Sequence, residues 1–477
     1  MDGKRMFVLL INPPWEKPSD DNRARFKVVS CLPSLGLGYV AAALEKAGTE
    51  VRILDLNIDR MTRKELAVYL GGLKPQPQWC GITSAATTLY AALDIAGICK
   101  RTFPETKTVM GGVQPTVTPD LALACKDVDY VVRGEGEEAM VELAKGSSSE
   151  KILGLSFRQR ERIVHNPDRP PIENLDTIAF PAYHLFSIRK YHPPEALFRR
   201  LPAINLITSR GCPFRCTYCA TQTIWPGKLR LRSIENVIEE LRMLTRHHGI
   251  REISFSDDTL VTIRPRIVQL CEDILKNRID ITWSCNAIVK FIDEDVLRLM
   301  KRAGCHHICY GIESADVQIL KNINKNISLT DAERAIKLTK NAGIACRASF
   351  MYGNPGETEE SMRRTLDFAL RTDPDFALFN ITTPYPGTPM YQWAKQNNYL
   401  LSEDLSLFTA SKCLLRLPTI SPETIEKATA HAWKAFYKRP HYMLGRLVKI
   451  RSWYDVRAYA KAFFSLMGFG KNKKEKK

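Results

Sequence analysis

The chain reads as an α/β protein in two parts: a doubly wound parallel sheet, then a partial barrel of six strand and helix units with a helical C-terminal region. Two observations predict this. Over residues 1–150, and again over 201–400, short apolar runs alternate with helix-period stretches across short connections, the pattern that parallel sheets leave in a sequence. Between the two runs, Asn166-Pro167-Asp168-Arg169-Pro170-Pro171 and Phe180-Pro181 mark a proline-stiffened joint. A length of 477 residues suits two or three domains of this kind.

In the first part the strands fall at 7–12, 50–57, 79–84, 107–111 and 130–133, with helices at 37–47, 63–73, 89–102, 120–126 and 137–145. Five parallel strands make a flavodoxin-like sheet, whose ligand belongs at the carboxyl ends. Those ends carry Asn57, then Ser84 and Thr87, then Gly111, Gly112 and Gln114, then Gly134 and Glu135. The first histidine of the chain is His165, so residues 1–150 offer no imidazole to a metal. A sheet that binds nothing, with glycines serving only turns, would look the same. Residues 151–200 read as a small hairpin at 152–164 and an ordered linker, whose His165, His184 and His192 suit surface or packing roles.

The barrel strands are expected at 204–208, 252–256, 281–285, 307–311, 347–352 and 376–382, and its helices at 234–247, 264–276, 294–303, 330–342, 358–371 and 389–396. Chemistry gathers at the carboxyl ends of such strands. After the first of them runs Ser209-Arg210-Gly211-Cys212-Pro213-Phe214-Arg215-Cys216-Thr217-Tyr218-Cys219, which places three of the chain's 13 cysteines within eight residues. Three thiolates on one loop can hold three irons of a cubic iron-sulfur cluster and leave the fourth open. A zinc knuckle or three ordinary thiols are the other readings; zinc usually closes with four ligands in paired groups. The next cysteine, Cys271, falls inside an expected helix.

Composition adds bounds rather than function. The formal charge is +17, and residues 434–477 carry 13 Lys and Arg against two acids, Asp455 and Glu475, a surplus of +11. Such a tail can bind RNA, touch anionic lipid or keep the chain in solution. Residues 421–437 read as helical, 455–467 as an amphipathic helix and 471–477 as a basic end. No apolar run approaches the roughly 20 residues of a spanning helix. Thirteen cysteines without a secretory signal suit a reducing cytoplasm.

The spacing Cys212-x3-Cys216-x2-Cys219 after a first barrel strand resembles the radical S-adenosylmethionine superfamily, and the strand ends of the first part resemble a cobalamin-binding domain. In that domain an Asp-x-His-x-x-Gly motif is usual; here Asn57 takes the histidine position and Arg60 the glycine position. About residues 5–450 together resemble the cobalamin-dependent radical enzymes, a group of C-methylases, P-methylases and the anaerobic protoporphyrin ester cyclase. The resemblance implies a [4Fe-4S] cluster on Cys212, Cys216 and Cys219, with S-adenosylmethionine on the open iron. Tyr218 would meet its adenine. Ser256, Asp257 and Asp258 replace a Gly-Gly-Glu motif that holds the amino group, Ser284, Asn286 and Glu313 would face carboxylate and ribose, and Gly353 would let the cofactor lie against backbone. Cobalamin would take Asn57, Ser84, Thr87, Gly111, Gly112, Gln114, Gly134 and Glu135, and Tyr385 would face the substrate.

These resemblances divide the chain into a cobalamin-binding domain at 1–150, a hairpin and linker at 151–200, a radical S-adenosylmethionine barrel at 201–400 and a helical C-terminal region at 401–477. The implied reaction methylates an unactivated carbon, through a 5'-deoxyadenosyl radical and methylcobalamin, on a small molecule of lipid or terpenoid kind. An external electron donor such as a flavodoxin or ferredoxin is implied, nucleic acid is not, and the basic C-terminus suits peripheral contact with the inner membrane surface. Three other readings stand beside it: an oxidative cyclase or ring-rearranging enzyme without methyl transfer, a methylthiotransferase acting on transfer RNA, and a cobalamin sensor without catalysis. The methylthiotransferase needs a second cysteine triplet, which Cys31, Cys80, Cys99 and Cys125 are badly placed to form.

Overall fold

The computed structural model describes residues 6–15, 31–194, 198–225 and 228–448. The amphipathic stretch 455–467 and the basic end 471–477 lie outside them.

The first unit contains β1 (Phe7–Asn12), β2 (Glu50–Asp55), β3 (Trp79–Thr83), β4 (Lys107–Gly111) and β5 (Tyr130–Val132), followed by β6 (Leu155–Gln159) and β7 (Arg162–His165). They form one seven-stranded sheet in the order β2-β1-β3-β4-β5-β6-β7. The first five are parallel, as the alternation predicts. The hairpin β6-β7 joins β5 antiparallel, so the sheet runs two strands past the five read from sequence. In β1, Phe7, Leu9 and Ile11 enter one apolar cluster while Val8 and Leu10 enter another on the opposite face. A strand buried on both faces reads as continuous apolar sequence because helices cover the sheet on each side.

The second unit is an open barrel of β8 (Ala203–Leu206), β11 (Glu252–Phe255), β12 (Thr282–Ala287), β13 (Cys305–Glu313), β14 (Ala345–Tyr352) and β15 (Phe376–Ile381), all parallel and adjacent in that order. A two-stranded ladder, β9 (Ser209–Arg210) with β10 (Arg230–Leu231), stands above β8. The helices between strands present one apolar stripe to the barrel. Ile234–His247, capped by Ser233, buries Val237, Ile238, Leu241 and Leu244.

An open barrel leaves a free strand edge, which the C-terminal helix Pro422–Tyr437 covers. Trp433 Nε1 donates to Phe379 O (2.7 Å) and Tyr437 Oη to Ala377 O (2.8 Å), both on β15. The linker is fastened to both units. Tyr191 Oη donates to Asp55 at the end of β2 (2.8 Å), and Tyr183 Oη to the buried Glu240 on a barrel helix (2.7 Å). Gly38 matters here, because a Cβ on it would lie 2.9 Å from Pro181 of the linker.

Candidate functional site

Cys212, Cys216 and Cys219 lie on the loop that leaves β9 beyond the carboxyl end of β8. The chain enters this loop at Gly211, with φ 95°, where a Cβ would sit 2.4 Å from the carbonyl oxygen of Lys228. Only glycine tolerates both. Gln222 Nε2 donates to the carbonyls of Cys212 (2.7 Å) and Phe214 (2.9 Å), and Asn324 Nδ2 to that of Arg215 (2.7 Å). Burial pushes the Cys212 thiol up to about 11 and raises that of Cys216, so both are protonated unless a cationic centre binds them. Among the described residues, no three His, Cys, Asp or Glu side chains converge on a point that one ion could occupy. A cubic cluster gives each cysteine its own iron, and the loop's three partly buried thiols fit that demand.

Beside the loop, Tyr218 Oη donates to Glu313 Oε1 (3.0 Å), and Lys325 Nζ pairs with the same oxygen (3.1 Å). Glu313 ends β13 with φ 68°, just after an irregular step in the β13-β14 register. Burial works against the Lys325 charge, but Glu313 and Cys216 hold its pKa above the ordinary value. Burial and Glu313 together suppress ionisation of Tyr218. Sequence reasoning missed Lys325, which sits in no motif and reaches the site only because the loop after Val317–Asn322 folds back.

Ser256 and Asp258 are exposed at the end of β11. Asp258 Oδ1 accepts from Thr221 Oγ1 (3.0 Å), and that hydroxyl lies 3.3 Å from Cys219 Sγ. Its pKa is raised, chiefly by desolvation and further by Asp257. Asp257 itself departs from expectation. Its buried carboxylate accepts from Thr208 N (3.0 and 3.1 Å), Thr208 Oγ1 (2.9 Å) and Ser209 Oγ, all on the chain that leads into the cysteine loop. It fixes the entry into the cysteine loop instead. Asn286 Nδ2 donates to Asp257 O (3.2 Å), and Ser284 is buried opposite Ser254 of β11. Gly353 has φ 87°, and a Cβ on it would lie 3.4 Å from Ile425 of the C-terminal helix.

A cavity of about 670 Å³ opens at the carboxyl ends of β1, β3, β4 and β5 and is closed on its far side by Ile207, Arg210, Ile224 and Trp225 of the second unit. Leu10, Ile82, Val109 and Val132 line it along the strands, and Asn57, Ser84, Gly111, Gly112, Gly134 and Glu135 at their ends. Gly112 has φ 94°, and a Cβ there would come within 2.8 Å of Ser84 O. Among the described residues that line it, none is a histidine. An apolar slot with a polar, glycine-shaped rim fits cobalamin held without a protein imidazole.

Not every candidate residue at this end reaches the cavity with its side chain free. Thr87 does not line the cavity, because the 3₁₀ turn Ala86–Thr88 presents Thr88 there instead. Gln114 is buried with Nε2 donating to Thr118 Oγ1 (2.9 Å). Tyr385 lies outside the cavity lining, its ring 6.4 Å from Phe408 and against the apolar cluster of the first unit. It packs the units together. Glu135 lines the cavity, yet its carboxylate is taken by Arg210 (2.7 Å), Arg230 (2.9 and 3.0 Å) and the Ile172 backbone N–H (2.7 Å). Burial opposes its charge, but the two guanidiniums bring its pKa below the ordinary value. Asn57 also serves the chain, donating to Pro13 O (3.0 Å) and accepting from Trp15 N (3.0 Å).

A barrel with three cysteines beyond its first strand, facing a glycine-rimmed cavity in a doubly wound sheet, defines a two-cofactor radical enzyme. Comparisons with known proteins agree. The Radical SAM superfamily model matches residues 206–369, and the B12 binding domain model matches residues 24–144. The chain is 36% identical to the uncharacterized methyltransferase PH0819 of Pyrococcus horikoshii, over 92% of this chain and 94% of that one. It is 27% identical to the anaerobic magnesium-protoporphyrin IX monomethyl ester cyclase of Rubrivivax gelatinosus, over 88% of this chain and 75% of that one. The fold matches that of the radical S-adenosylmethionine methyltransferase TsrM from Kitasatospora setae, with TM-score 0.68, 20% identity, and coverage of 89% and 85% of the two chains. The chain belongs to the cobalamin-dependent radical S-adenosylmethionine methyltransferase family. Its cofactors are a [4Fe-4S] cluster, S-adenosylmethionine and cobalamin.

Proposed function

We propose that this enzyme methylates an unactivated carbon of an apolar small molecule, with Cys212, Cys216 and Cys219 holding the cluster and the cavity between the units holding cobalamin. The observation that carries the reading is the shared wall: Ile207 and Arg210, just before the cysteine loop, close the cavity that the glycine loops of the first unit open. When bound, the cluster and S-adenosylmethionine supply hydrogen abstraction, and cobalamin supplies the methyl group; such carbon has no lone pair with which to take a methyl cation.

The chain's own groups then have three tasks. Asp258 and Ser256 offer acceptors for the ammonium of S-adenosylmethionine, next to Cys219 through Thr221. Tyr218, Glu313 and Lys325 give that cofactor a rigid polar bed, with Ser284 and Asn286 on the neighbouring strand. Gly111, Gly112, Gly134 and Ser84 form the cobalamin rim. In this reading residues 1–150 with the hairpin make the cobalamin domain, 201–400 the radical barrel, and the helix Pro422–Tyr437 its cover. A substrate of lipid or terpenoid kind is supported by 26% identity to the hopanoid C-3 methylase of Methylococcus capsulatus, over 82% of this chain and 74% of that one. The basic C-terminal segment suits such a substrate at a membrane surface. Among the described residues no helix is long and apolar enough to cross a membrane.

The cyclase relative favours a second reading, radical oxidation without methyl transfer. Turnover of an apolar substrate with methyl-labelled S-adenosylmethionine separates them. Label in the product is expected; a turned-over product without label would refute methylation.

A further inference from the structure

Four buried charges cross the junction between the two units. Arg210 pairs with Glu135 (2.7 Å) and with Glu137 (2.6 Å), and Arg230 pairs with Glu135 (2.9 Å). Their side chains are only 5–8% exposed. Arg210 and Arg230 stand directly opposite each other in the β9-β10 ladder, so both guanidiniums project from one face of it. Like charges in that position repel unless anions lie between them, and here Glu135 does. The two acids come from Gly134-Glu135-Gly136-Glu137, all four of which line the cavity. Arg210 also lines it, stacks over Tyr39 (5.0 Å), and stands two residues before Cys212. Gly211 separates them with a conformation no other residue would take.

We propose that this cluster is a coupling clamp, with Arg210 and Glu137 as positioning residues that make the cobalamin rim and the cysteine loop move as one body. A ligand that orders one loop therefore orders the other. Thermodynamic reciprocity follows: assembly of the iron-sulfur cluster tightens cobalamin binding, and cobalamin steadies the cluster loop by the same factor. The geometry supports this because the path is short. It runs from the cavity rim through the two Arg210 ion pairs and Gly211 to Cys212. The proposal rests on the cavity being the cobalamin site.

The test measures the cobalamin dissociation constant optically and anaerobically, for cluster-loaded and cluster-stripped full-length protein. Wild type, Glu137→Gln and Arg210→Lys are compared. In wild type the loaded form should bind about tenfold more tightly, within the ordinary range of coupling between sites. Glu137→Gln, which leaves the Arg210–Glu135 pair in place, should bring that ratio well below the wild-type value while the loaded protein keeps its iron content, and Arg210→Lys should lower it too. A merely structural role would weaken both forms alike and leave the ratio unchanged, which would overturn the clamp. A wild-type ratio of one would overturn it too, with the cavity assignment left standing. Absence of cobalamin binding in either form would overturn the cavity assignment and the clamp together. If Glu137→Gln fails to take up a cluster, Arg210→Lys, which keeps the charge and loses the bidentate fork, decides by the same ratio.

Discussion

Individual side chains in this protein separate into those that keep free valence for a ligand and those that the chain uses itself. Asp257 and Asp258 are adjacent, yet one is buried and bonded to Thr208 and Ser209 while the other is exposed beside Thr221. Sequence shows two carboxylates at a strand end; only the direction of each side chain says which is available. Tyr385 makes the same point, since its position after the last strand suits a substrate role but its ring turns to Phe408. Tyr385→Phe should therefore leave S-adenosylmethionine cleavage unchanged, which quantitation of 5'-deoxyadenosine will check. Glu135 has a pH signature. Its folded pKa lies below the ordinary 4.5, so its pairing contributes fully above about pH 4.5 and is lost as acid carries the solution through the lower folded value. Melting temperature measured against pH should fall less steeply on the acid side for Glu135→Gln than for wild type. At neutral pH that variant should be the less stable, by about 3–5 kcal/mol where a buried charge loses its partner.

Elements were legible where local signals and tertiary demands agree. Ile234–His247, Arg264–Lys276 and Pro389–Gln396 coincide with the stretches read from the sequence, because each joins an apolar stripe to a Ser or Thr cap or a Pro in its first turn. The hairpin β6-β7 was visible as a hairpin, but its docking on β5 was not, since a free strand edge is a property of the assembled sheet. The same limit hid the charge clamp. Arg210 and Arg230 lie twenty residues apart and become neighbours only through the β9-β10 ladder, and Lys325 reaches Glu313 only through a returning loop. The cysteine loop itself depends on one backbone position. Gly211→Ala should force its Cβ against the Lys228 carbonyl at a positive φ, a strain of about 1–3 kcal/mol. Iron content after anaerobic reconstitution should fall well below wild type while the helical signal in circular dichroism stays.

As a whole molecule, the protein is two α/β units fastened by a linker, a charge cluster and shared apolar contacts, with the loop after the first barrel strand closing the cavity of the first unit. Tyr191 to Asp55, Tyr183 to Glu240 and the four charges around Glu135 leave little freedom between the units. That rigidity suits a chain with two cofactors, because groups held by separate units keep a fixed separation only if the units do. The central claim is that one chain holds both cofactors, with cobalamin in a cavity that has no histidine among its described lining residues. Anaerobic reconstitution followed by electron paramagnetic resonance of the reduced protein tests it most directly. The expected spectrum contains a [4Fe-4S] signal together with cob(II)alamin that shows no nitrogen coupling from a protein imidazole. An iron-sulfur signal with no bound cobalamin, or cob(II)alamin coupled to a histidine nitrogen, would contradict the account.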